Sequence, residues 1–243
     1  MPVCAEPVPR AVRPLAVGGL TPLSATDYPN HLSAVVFCQG CPWRCGYCHN
    51  PHLLPAHGEE GIAWADVVSF LHRRRGLLDA VVFSGGEPLA QAGLADAMRS
   101  TRRIGFRIAL HTGGAYPQRF AEVLSLVDWV GFDIKAPFPE YSRITRAPGS
   151  GDRALASAKM LIGSGVAHEF RTTVHPRQHR PAQMERLAEQ LAGLGVRNYA
   201  LQEFRAHGCA SAELVENLPA SFLTESWCAE IASGFDAFAV RRA

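Results

Sequence analysis

The sequence lacks long apolar runs, a strong net charge and the common nucleotide-binding fingerprints. No apolar run reaches the ~18 residues that a membrane-spanning helix needs, so we expect no membrane contact. The formal net charge of +2 argues against nucleic acid as a partner. Neither a Walker-type phosphate loop nor a G-x-G-x-x-G motif occurs. No secretory signal is visible at the start of the chain, and no internal repeat stands out.

A disulfide framework is also missing. The chain has 7 cysteines, an odd number, and their spacing does not suggest paired bridges. We therefore expect a reducing compartment, the cytoplasm. Cys4, Cys38, Cys209 and Cys228 are expected to be ordinary buried or partly buried thiols.

The other three cysteines form the motif C-x3-C-x2-C. Cys41, Cys45 and Cys48 can hold three corners of a cubic [4Fe-4S] cluster and leave the fourth iron open to a small molecule. Two alternatives fit the spacing less well. One is a zinc site with His49 as the fourth ligand. The other is a closed electron-transfer cluster with Cys38 as the fourth cysteine.

From residue 33 onward, apolar β-rich runs alternate with amphipathic helical stretches, which predicts an α/β fold with a parallel sheet. Six such units suggest a partial (βα)6 barrel. We expect an irregular N-terminal arm over residues 1–30, because it contains six prolines. The core barrel spans residues 31–205, and an extension packs on it over 206–243.

The predicted strands are Ala34–Phe37, Ala80–Phe83, Arg107–His111, Trp129–Ile134, Glu169–Val174 and Tyr199–Gln202. The predicted helices are Trp64–Arg75, Gly93–Arg103, Pro117–Leu126, Arg153–Ile162 and Ala182–Leu194, with a further helix near Ser221–Ala232 and a short strand at Phe235–Val240.

The polar motifs follow successive predicted strands. In a βα barrel, the loops after the strands meet at one end and build the active site. The cysteine motif follows the first strand, and Gly85-Gly86-Glu87 follows the second. The run of residues 111–114 follows the third strand, and Asp133 and Lys135 end the fourth. We therefore expect all of these side chains to meet.

Several of these stretches together resemble the radical S-adenosylmethionine (SAM) superfamily, and within it the activating enzymes of glycyl-radical proteins. The resemblance is greatest to the activating proteins of anaerobic ribonucleoside-triphosphate reductases, in their longer form, and runs from about residue 18 to about residue 205. It is carried by the C-x3-C-x2-C loop with Tyr47 before its last cysteine, and by Thr26-Asp27-Tyr28-Pro29, Gln39-Gly40-Cys41, Cys48-His49-Asn50-Pro51, Ser84-Gly85-Gly86-Glu87-Pro88 and Phe132-Asp133-Ile134-Lys135.

The resemblance implies a barrel of the radical SAM type and two cofactors, a [4Fe-4S] cluster and SAM. In such enzymes the amino and carboxylate groups of SAM chelate the open iron, and one electron cleaves SAM to methionine and a 5′-deoxyadenosyl radical. The radical then removes hydrogen from a glycine of a partner, here expected to be anaerobic ribonucleoside-triphosphate reductase. A flavodoxin or ferredoxin is the implied electron donor.

The resemblance also suggests roles for side chains around SAM. Tyr47 and His49 would lie near the adenine, although His49 could equally serve in packing or helix capping. Gly85, Gly86 and Glu87 would face the ammonium of SAM; the alternative is a turn whose glycines relieve strain.

Five further positions carry expectations of the same kind. Asp133 and Lys135 would meet the charged groups of SAM or form a simple internal ion pair. Arg171 would receive the SAM carboxylate or a carbonyl of the substrate loop, or pair with Glu203 or Asp133. Thr112 would line the pocket. His111 stands where relatives often carry an aspartate that helps to hold a monovalent cation, which puts such a site in doubt.

The substrate is open at this point. We expect residues 136–151 to form a mobile lip that receives a glycine loop of a protein partner. A radical enzyme acting on a small molecule or peptide would instead have its pocket closed by Ser211–Ala243. An iron–sulfur or zinc module without catalysis would leave the Gly-Gly-Glu and Asp-Ile-Lys motifs without a role.

Overall fold

The computed structural model describes residues 14–58 and 61–243 of the chain. Its centre is one eight-stranded sheet whose strands lie side by side in chain order. β1 pairs with β2 in antiparallel fashion, and every later neighbouring pair is parallel. The strands are β1 Val17–Ser24, β2 Ser33–Cys38, β3 Ala80–Gly85, β4 Arg107–Thr112, β5 Trp129–Asp133, β6 Ala167–Val174, β7 Asn198–Glu203 and β8 Ala237–Arg241.

Helices alternate with the strands and cover the outer face of the sheet. They are α1 Trp64–Arg74, α2 Leu94–Ile104, α3 Pro117–Leu124, α4 Tyr141–Thr145, α5 Ser150–Ser164, α6 Pro181–Gly193, α7 Ala212–Val215 and α8 Glu225–Ala232. Short 3-10 turns occur at Pro51–Leu53, Pro88–Ala90 and Phe138–Glu140. Proline at the first turn starts α3 and α6, where its missing N–H costs no hydrogen bond.

The sheet has two apolar sides, which is why its strands read as nearly continuous apolar runs. The larger core lies between the strands and the helices. A smaller cluster, which includes Val35, Val82 and Trp129, lies on the other side, inside the curve of the sheet. No hydrogen-bonded pairing joins β1 to β8 in the described parts of the chain, so the sheet forms an open barrel.

The structure confirms the predicted fold class. The six predicted parallel strands correspond to β2–β7, and the five predicted core helices correspond to α1, α2, α3, α5 and α6. The helix and strand expected near the C-terminus are present as α8 and β8, and β8 joins the same sheet as a seventh parallel strand.

The expectation of an irregular N-terminal arm over residues 1–30 is wrong for Val17–Ser24, which form β1. This strand contains Gly18, Gly19 and Pro22, residues that are unfavourable inside a sheet. An edge strand tolerates them because only one side of it needs partners, and β2 supplies those. Residues 1–13 lie outside the described part of the chain. None of the described helices combines the length and the apolar character needed to cross a bilayer.

Candidate active site

The cysteine loop, residues 41–48, follows β2 and is held by backbone hydrogen bonds from two directions. The Gly40 N–H donates to the Leu53 carbonyl over 2.8 Å, and the Arg44 N–H donates to the Thr145 carbonyl over 2.8 Å. Gly40 has φ +91°, in the left-handed region that favours glycine. The loop is therefore fixed both by the chain that follows it and by α4, which comes much later in the sequence.

The cysteines of this loop differ from Cys38 in their surroundings. Cys41, Cys45 and Cys48 are partly exposed, whereas Cys38 is fully buried in the core beside β3. Burial, with a smaller contribution from the Glu87 carboxylate, raises the pKa of Cys41 to about 12, and burial also raises the pKa of Cys45. Such thiols lose their protons only against strong positive charge, which bound iron supplies.

A cavity of about 290 Å³ opens beside the cysteine loop, close to the roughly 300 Å³ at which small-molecule sites begin. Its walls come from the cysteine loop and from the ends of β3, β4, β5, β6 and β7. All twelve residues that the sequence suggested for the site line this one cavity: Cys41, Cys45, Tyr47, Cys48, His49, Gly85, Gly86, Glu87, Thr112, Asp133, Lys135 and Arg171.

Gly85 and Gly86 allow the chain after β3 to pass close to the cysteine loop. A Cβ atom on Gly85 would lie 2.4 Å from the Cys38 backbone nitrogen, and one on Gly86 would lie 2.4 Å from the Gly40 carbonyl oxygen. The Gly86 N–H also donates to the Cys38 carbonyl over 2.9 Å. The glycines are therefore required for packing against the base of the cysteine loop, in addition to lining the cavity.

Glu87 holds together the walls that follow β3 and β4. Its Oε1 atom accepts hydrogen bonds from the Thr112 hydroxyl at 2.6 Å and from the Leu89 N–H at 3.1 Å, and its Oε2 atom accepts one from the Gly113 N–H at 3.0 Å. The side chain is 2% exposed, and burial raises the pKa of its carboxyl group. Its carboxyl group therefore braces the cavity wall.

Asp133, Lys135 and Arg171 form one charged cluster at the ends of β5 and β6. The Arg171 Nε atom lies 3.0 Å from Asp133 Oδ1, and the Lys135 Nζ atom lies 3.5 Å from Asp133 Oδ2. Although burial opposes ionisation, the two cations hold the pKa of Asp133 at about 2. Of the two partners proposed for Arg171, Asp133 is the one observed; the nearest cation to Glu203 is Arg242, at 4.0 Å.

Arg171 lies flat across β5 because the strand has a glycine there. A Cβ atom on Gly131 would lie 2.7 Å from the guanidinium carbon of Arg171. The cluster has two cations and one anion, so it carries a net charge of +1 toward the cavity when all three groups are ionised. An anionic ligand group would be attracted to it.

His111 points to the first loop of the chain. Its Nε2 atom lies 2.7 Å from the Asp27 carbonyl oxygen and donates to it, since a carbonyl only accepts. Burial and the nearby Arg171 lower the pKa of His111 to about 4, so the ring is neutral near pH 7. Thr112, the next residue, lines the cavity as expected.

Tyr47 and His49 stand on the last turn of the cysteine loop and lie differently. The Tyr47 side chain is buried, and its hydroxyl has no hydrogen-bond partner among the described residues. The His49 ring stacks on Phe204 with its centroid 5.4 Å away, and its Nε2 atom lies 2.9 Å from the Arg205 carbonyl oxygen. The packing role considered for His49 is therefore present, and the ring also lines the cavity.

The expected mobile lip, residues 136–151, is a packed part of the fold. Tyr141 is fully buried and touches Trp43 of the cysteine loop edge-on, with centroids 5.7 Å apart. Its hydroxyl donates to the Asp133 carbonyl and accepts from the Lys135 N–H. This segment packs against the cysteine loop and the end of β5, so the structure does not agree with a free, mobile lip.

A second cavity of about 400 Å³ lies beside the first. The two share five lining residues: Asp27, His49, Arg171, Thr173 and Gln202. The second cavity reaches toward β8, where Arg241 makes a bidentate ion pair with buried Glu169 at 2.8 and 2.9 Å. It extends the site toward the open edge of the barrel.

Sequence reasoning missed several residues of the first cavity. Asp27, Asn50 and Ser84 lie within stretches that carried the family resemblance, so those stretches could have indicated them. Trp43 lies inside the cysteine motif, so its position there could also have indicated it, whereas Gln202 gave no signal because nothing local in the sequence shows that its side chain reaches the cavity.

Comparison with known proteins identifies the family. The sequence profile of the Radical SAM superfamily matches residues 35–191, well over half of the chain. The chain belongs to the radical SAM superfamily. Enzymes of this superfamily use a [4Fe-4S] cluster together with SAM.

Curated relatives of this radical SAM enzyme include activating enzymes of glycyl-radical proteins. A putative glycyl-radical enzyme activating enzyme of Methanocaldococcus jannaschii is 30% identical over 77% of this chain and 79% of its own length. The pyruvate formate-lyase 1-activating enzyme of Escherichia coli is 31% identical, over 58% of this chain and 61% of that enzyme. The chain thus spans less than two thirds of the second relative.

Solved structures support the fold. Streptococcus suis SuiB bound to S-adenosylmethionine superposes with a TM-score of 0.64 over 84% of this radical SAM chain and 48% of SuiB, at 12% identity. At that identity the likeness shows a shared fold only.

The residues present fit the two cofactors of the superfamily. Three thiols of one loop line the cavity, which matches the donor set of a cluster with one open iron. The buried Tyr47 hydroxyl lacks a partner among the described residues, and a ligand in the cavity would supply one. The net positive cluster of Asp133, Lys135 and Arg171 suits a carboxylate.

Proposed function

We propose that this radical SAM enzyme generates a glycyl radical on a partner enzyme, with anaerobic ribonucleoside-triphosphate reductase as the candidate partner. One observation carries the proposal: all twelve residues suggested for cluster and SAM binding line a single cavity. These residues come from five different parts of the chain, and ordinary packing does not require them to meet.

Cys41, Cys45 and Cys48 are the proposed ligands of three irons of the [4Fe-4S] cluster. When bound and reduced, the cluster supplies the electron that cleaves SAM to methionine and a 5′-deoxyadenosyl radical. The chain's own contribution is placement. Lys135 and Arg171 attract the SAM carboxylate, and the backbone at Gly85 with the Glu87 carboxyl oxygens receives the ammonium.

A separate part of the cavity wall is proposed to contact the adenosine half of SAM. Tyr47 offers a buried hydroxyl without a partner among the described residues, and His49 closes the same side with a ring fixed by Phe204. Thr112 is held by Glu87 and lines the opposite wall. These contacts exclude water from the reacting bond and fix its direction.

A protein substrate is supported by the position of the C-terminal extension. A small-molecule enzyme was expected to have its pocket closed by Ser211–Ala243. No described residue beyond Gln202 lines the first cavity. The extension instead packs behind the cysteine loop, where Leu214 approaches Gly46, and adds β8 to the sheet. An uncovered cavity suits a substrate loop that enters from another protein.

The names of the relatives support the same class of partner. The Methanocaldococcus jannaschii and Escherichia coli proteins are activating enzymes of glycyl-radical proteins by name. The reductase as specific partner follows from the sequence resemblance. We place the reaction in the cytoplasm, where thiols such as the six free cysteines of the described part stay reduced, and propose a flavodoxin or ferredoxin as electron donor.

A second candidate function has one observation in its favour. The second cavity, about 400 Å³ and lined by Glu169, Glu203, Arg205 and Arg241 among others, is large enough for a small polar substrate. Such an enzyme would modify a small molecule or peptide and would need no glycyl-radical partner.

The deciding experiment is anaerobic incubation of the cluster-loaded enzyme with SAM, a reductant and the candidate reductase. The expected result is a glycyl-radical doublet in the EPR spectrum of the reductase, with one methionine formed for each radical. A reductase with its target glycine changed to alanine is the control. SAM cleavage without any doublet on a panel of glycyl-radical enzymes would contradict the proposed partner class and favour the small-substrate alternative.

A further inference from the structure

Three exposed arginines lie on the cysteine loop or on the segments that contact it near Gly46, which lies between Cys45 and Cys48. Arg44 belongs to the cysteine loop itself. Arg146 places a guanidinium nitrogen 4.0 Å from where a Cβ atom of Gly46 would stand. Arg143 donates to the Gln178 carbonyl over 2.8 Å, and the Gln178 amide nitrogen lies 2.9 Å from that same Cβ position.

None of these arginines forms an ion pair within the described residues. Within residues 14–58 and 61–243, no carboxylate lies within 4.0 Å of Arg44, Arg143 or Arg146, although other arginines of the chain form ion pairs. Arg44 lies on the cysteine loop, and Arg143 and Arg146 lie on and next to α4, which is hydrogen-bonded to that loop, so three positive charges without an ion pair are presented on this side of it. The patch is therefore a surface at which an acidic molecule would be stabilised.

The conformation of Arg146 is consistent with this interpretation. Arg146 ends α4 with φ +53°, a backbone conformation that glycine adopts freely and other residues adopt at a cost of roughly 1–2 kcal/mol. Many helices end in glycine at this kind of position. The chain has a long cationic side chain there, at the edge of the cysteine loop.

The patch lies on the side of the cysteine loop away from the substrate. The cavity is lined by Cys41, Cys45 and Cys48, but neither Gly46 nor any of the three arginines lines it. Gly46 contacts Gln178 and Leu214 instead. A partner on the arginine patch could therefore come close to the cluster without blocking the cavity in which SAM and a substrate glycine must meet.

We propose that Arg44, Arg143 and Arg146 form the docking surface for an acidic one-electron carrier protein. This inference rests on the proposed function, because reductive cleavage of each SAM consumes one electron. The carrier is oxidised by one electron and the cluster is reduced by one; no bond forms or breaks and no proton moves in that step. Electrons enter on the arginine side of the loop, and the substrate enters on the cavity side.

The test compares two double variants of equal charge. Arg143→Glu/Arg146→Glu reverses the patch but leaves Arg44, which hydrogen-bonds within the cysteine loop, in place. Arg73→Glu/Arg103→Glu is the control, because both residues are exposed at the C-terminal ends of α1 and α2, at the end of the barrel opposite the cysteine loop. The probe is an acidic flavodoxin, and the full-length, cluster-loaded protein is used.

Two measurements are made on each protein. The first is the dissociation constant for oxidised flavodoxin at low and at high salt, which requires no turnover. The second is the rate of 5′-deoxyadenosine formation with reduced flavodoxin and, separately, with dithionite. We expect the patch variant to bind flavodoxin about tenfold more weakly at low salt, with little difference left at high salt. Flavodoxin-driven cleavage should slow to a similar degree while dithionite-driven cleavage is retained.

Three outcomes would overturn the proposal. Flavodoxin binding equal to that of the control variant shows that the carrier docks elsewhere. Equal losses with flavodoxin and dithionite show that the arginines act on the site itself. Loss of binding to the glycyl-radical partner rather than to flavodoxin assigns the surface to that protein.

Failure of the unmodified enzyme to cleave SAM with dithionite would instead refute the proposed function, and the binding comparison would still test the docking surface.

Arg146→Gly provides a check against misfolding. It removes one charge and relieves the positive φ, so the thermal stability should not fall. A single charge lost should weaken flavodoxin binding by about two- to fivefold at low salt. Unchanged binding in this variant would argue against a contribution from Arg146.

Discussion

At the scale of single residues, cysteines in one stretch of chain differ in what surrounds their sulfur atoms. Cys38 is completely buried in β2 and packs in the core between sheet and helices. Cys41, Cys45 and Cys48 are partly exposed and line the cavity. Position relative to the sheet, and not the cysteine spacing alone, separates the core thiol of Cys38 from the three proposed cluster ligands.

Replacement of Cys38 and of Cys45 should therefore have different effects. Cys45→Ala is expected to lose the cluster, because two thiolates cannot hold it. Cys38→Ala should keep the iron content of the unmodified protein and lose only about 1 kcal/mol of stability from a small core cavity. Iron analysis and the visible absorption of anaerobically purified protein measure this. A cluster lost from Cys38→Ala but retained in Cys45→Ala would reverse the assignment.

The residues of the site were readable from the sequence, but their contacts were not. The motifs indicated Glu87 and Asp133 because each follows a strand that ends at the same side of the barrel. That Glu87 binds Thr112 and Gly113, and that Asp133 binds Arg171 38 positions later, depends on how the strands lie next to each other in space. A sequence without an alignment contains no direct record of such pairs.

At the scale of elements, the glycine that ends β3 is required by its close contact with the end of β2, just before the cysteine loop. Gly85 and Gly105 have nearly the same φ, +114° and +110°. A Cβ atom on Gly85 would collide with Cys38 backbone atoms, whereas one on Gly105 would meet nothing within 4 Å. A side chain at Gly105 would meet only the strain of a positive φ, whereas a side chain at Gly85 would meet the same strain and a steric clash as well.

The matched pair Gly85→Ala and Gly105→Ala tests this distinction. Gly105→Ala should lower the free energy of unfolding by about 1–2 kcal/mol, the cost of the left-handed conformation alone. Gly85→Ala should lower it by at least about 2 kcal/mol more, because the backbone at the end of β2 must move. Urea unfolding measures both, and equal losses would show that the contact with Cys38 does not matter.

A pair of histidines connects the end of β5 to the C-terminal extension. His179 Nδ1 accepts from the His175 N–H at 3.0 Å, so its Nε2 atom carries the proton and donates to the Lys135 carbonyl at 2.9 Å. His175 Nε2 lies 2.9 Å from the Leu214 carbonyl oxygen. The hydrogen bonds of His179 therefore require its neutral form, and one of them holds the backbone of Lys135 in place.

Acid should weaken the protein through this residue. Burial lowers the pKa of His179 to about 4, below its ordinary value of about 6.5. Between these values the unfolded chain binds a proton that the folded chain does not, so stability falls as the pH falls, by up to about 1.4 kcal/mol per pH unit. His179→Gln should show a shallower decline between pH 6 and pH 4.5 in urea unfolding; an unchanged slope would contradict the account.

The elements that sequence reasoning found and missed differ in the source of their stability. β2–β7 and the long helices have strong apolar patterns of their own. β1, α4 and α7 do not: β1 contains glycine and proline, and α4 and α7 are only 5 and 4 residues long. These elements form because β2, the cysteine loop or the β6–α6 connection packs against them, which local patterns do not encode.

At the scale of the whole molecule, the cysteine loop is enclosed by distant parts of the chain. α4 hydrogen-bonds it at Arg44, Leu214 of the extension lies against Gly46, and the chain after β3 passes beneath it. A ligand bound in the cavity would contact several of these parts at once. Binding should therefore stabilise the entire fold and not one loop.

This stabilisation can be measured as a melting temperature. At a SAM concentration of 100 times its dissociation constant, the folded state gains about 2.7 kcal/mol. For a chain of this size we expect a rise of about 5–10 °C in the cluster-loaded protein. Cys45→Ala, without the cluster, should show little of this rise, because the open iron contributes to binding. An equal rise in both proteins would mean that SAM binds without the cluster.

The most direct test of the account is EPR spectroscopy of the protein purified without oxygen and reduced with dithionite, before and after addition of SAM. We predict about four irons per chain, a reduced-cluster signal that changes on addition of SAM, and formation of 5′-deoxyadenosine. Protein without iron, or a cluster signal that SAM leaves unchanged, would contradict the claim that three cysteines hold a cluster open to SAM.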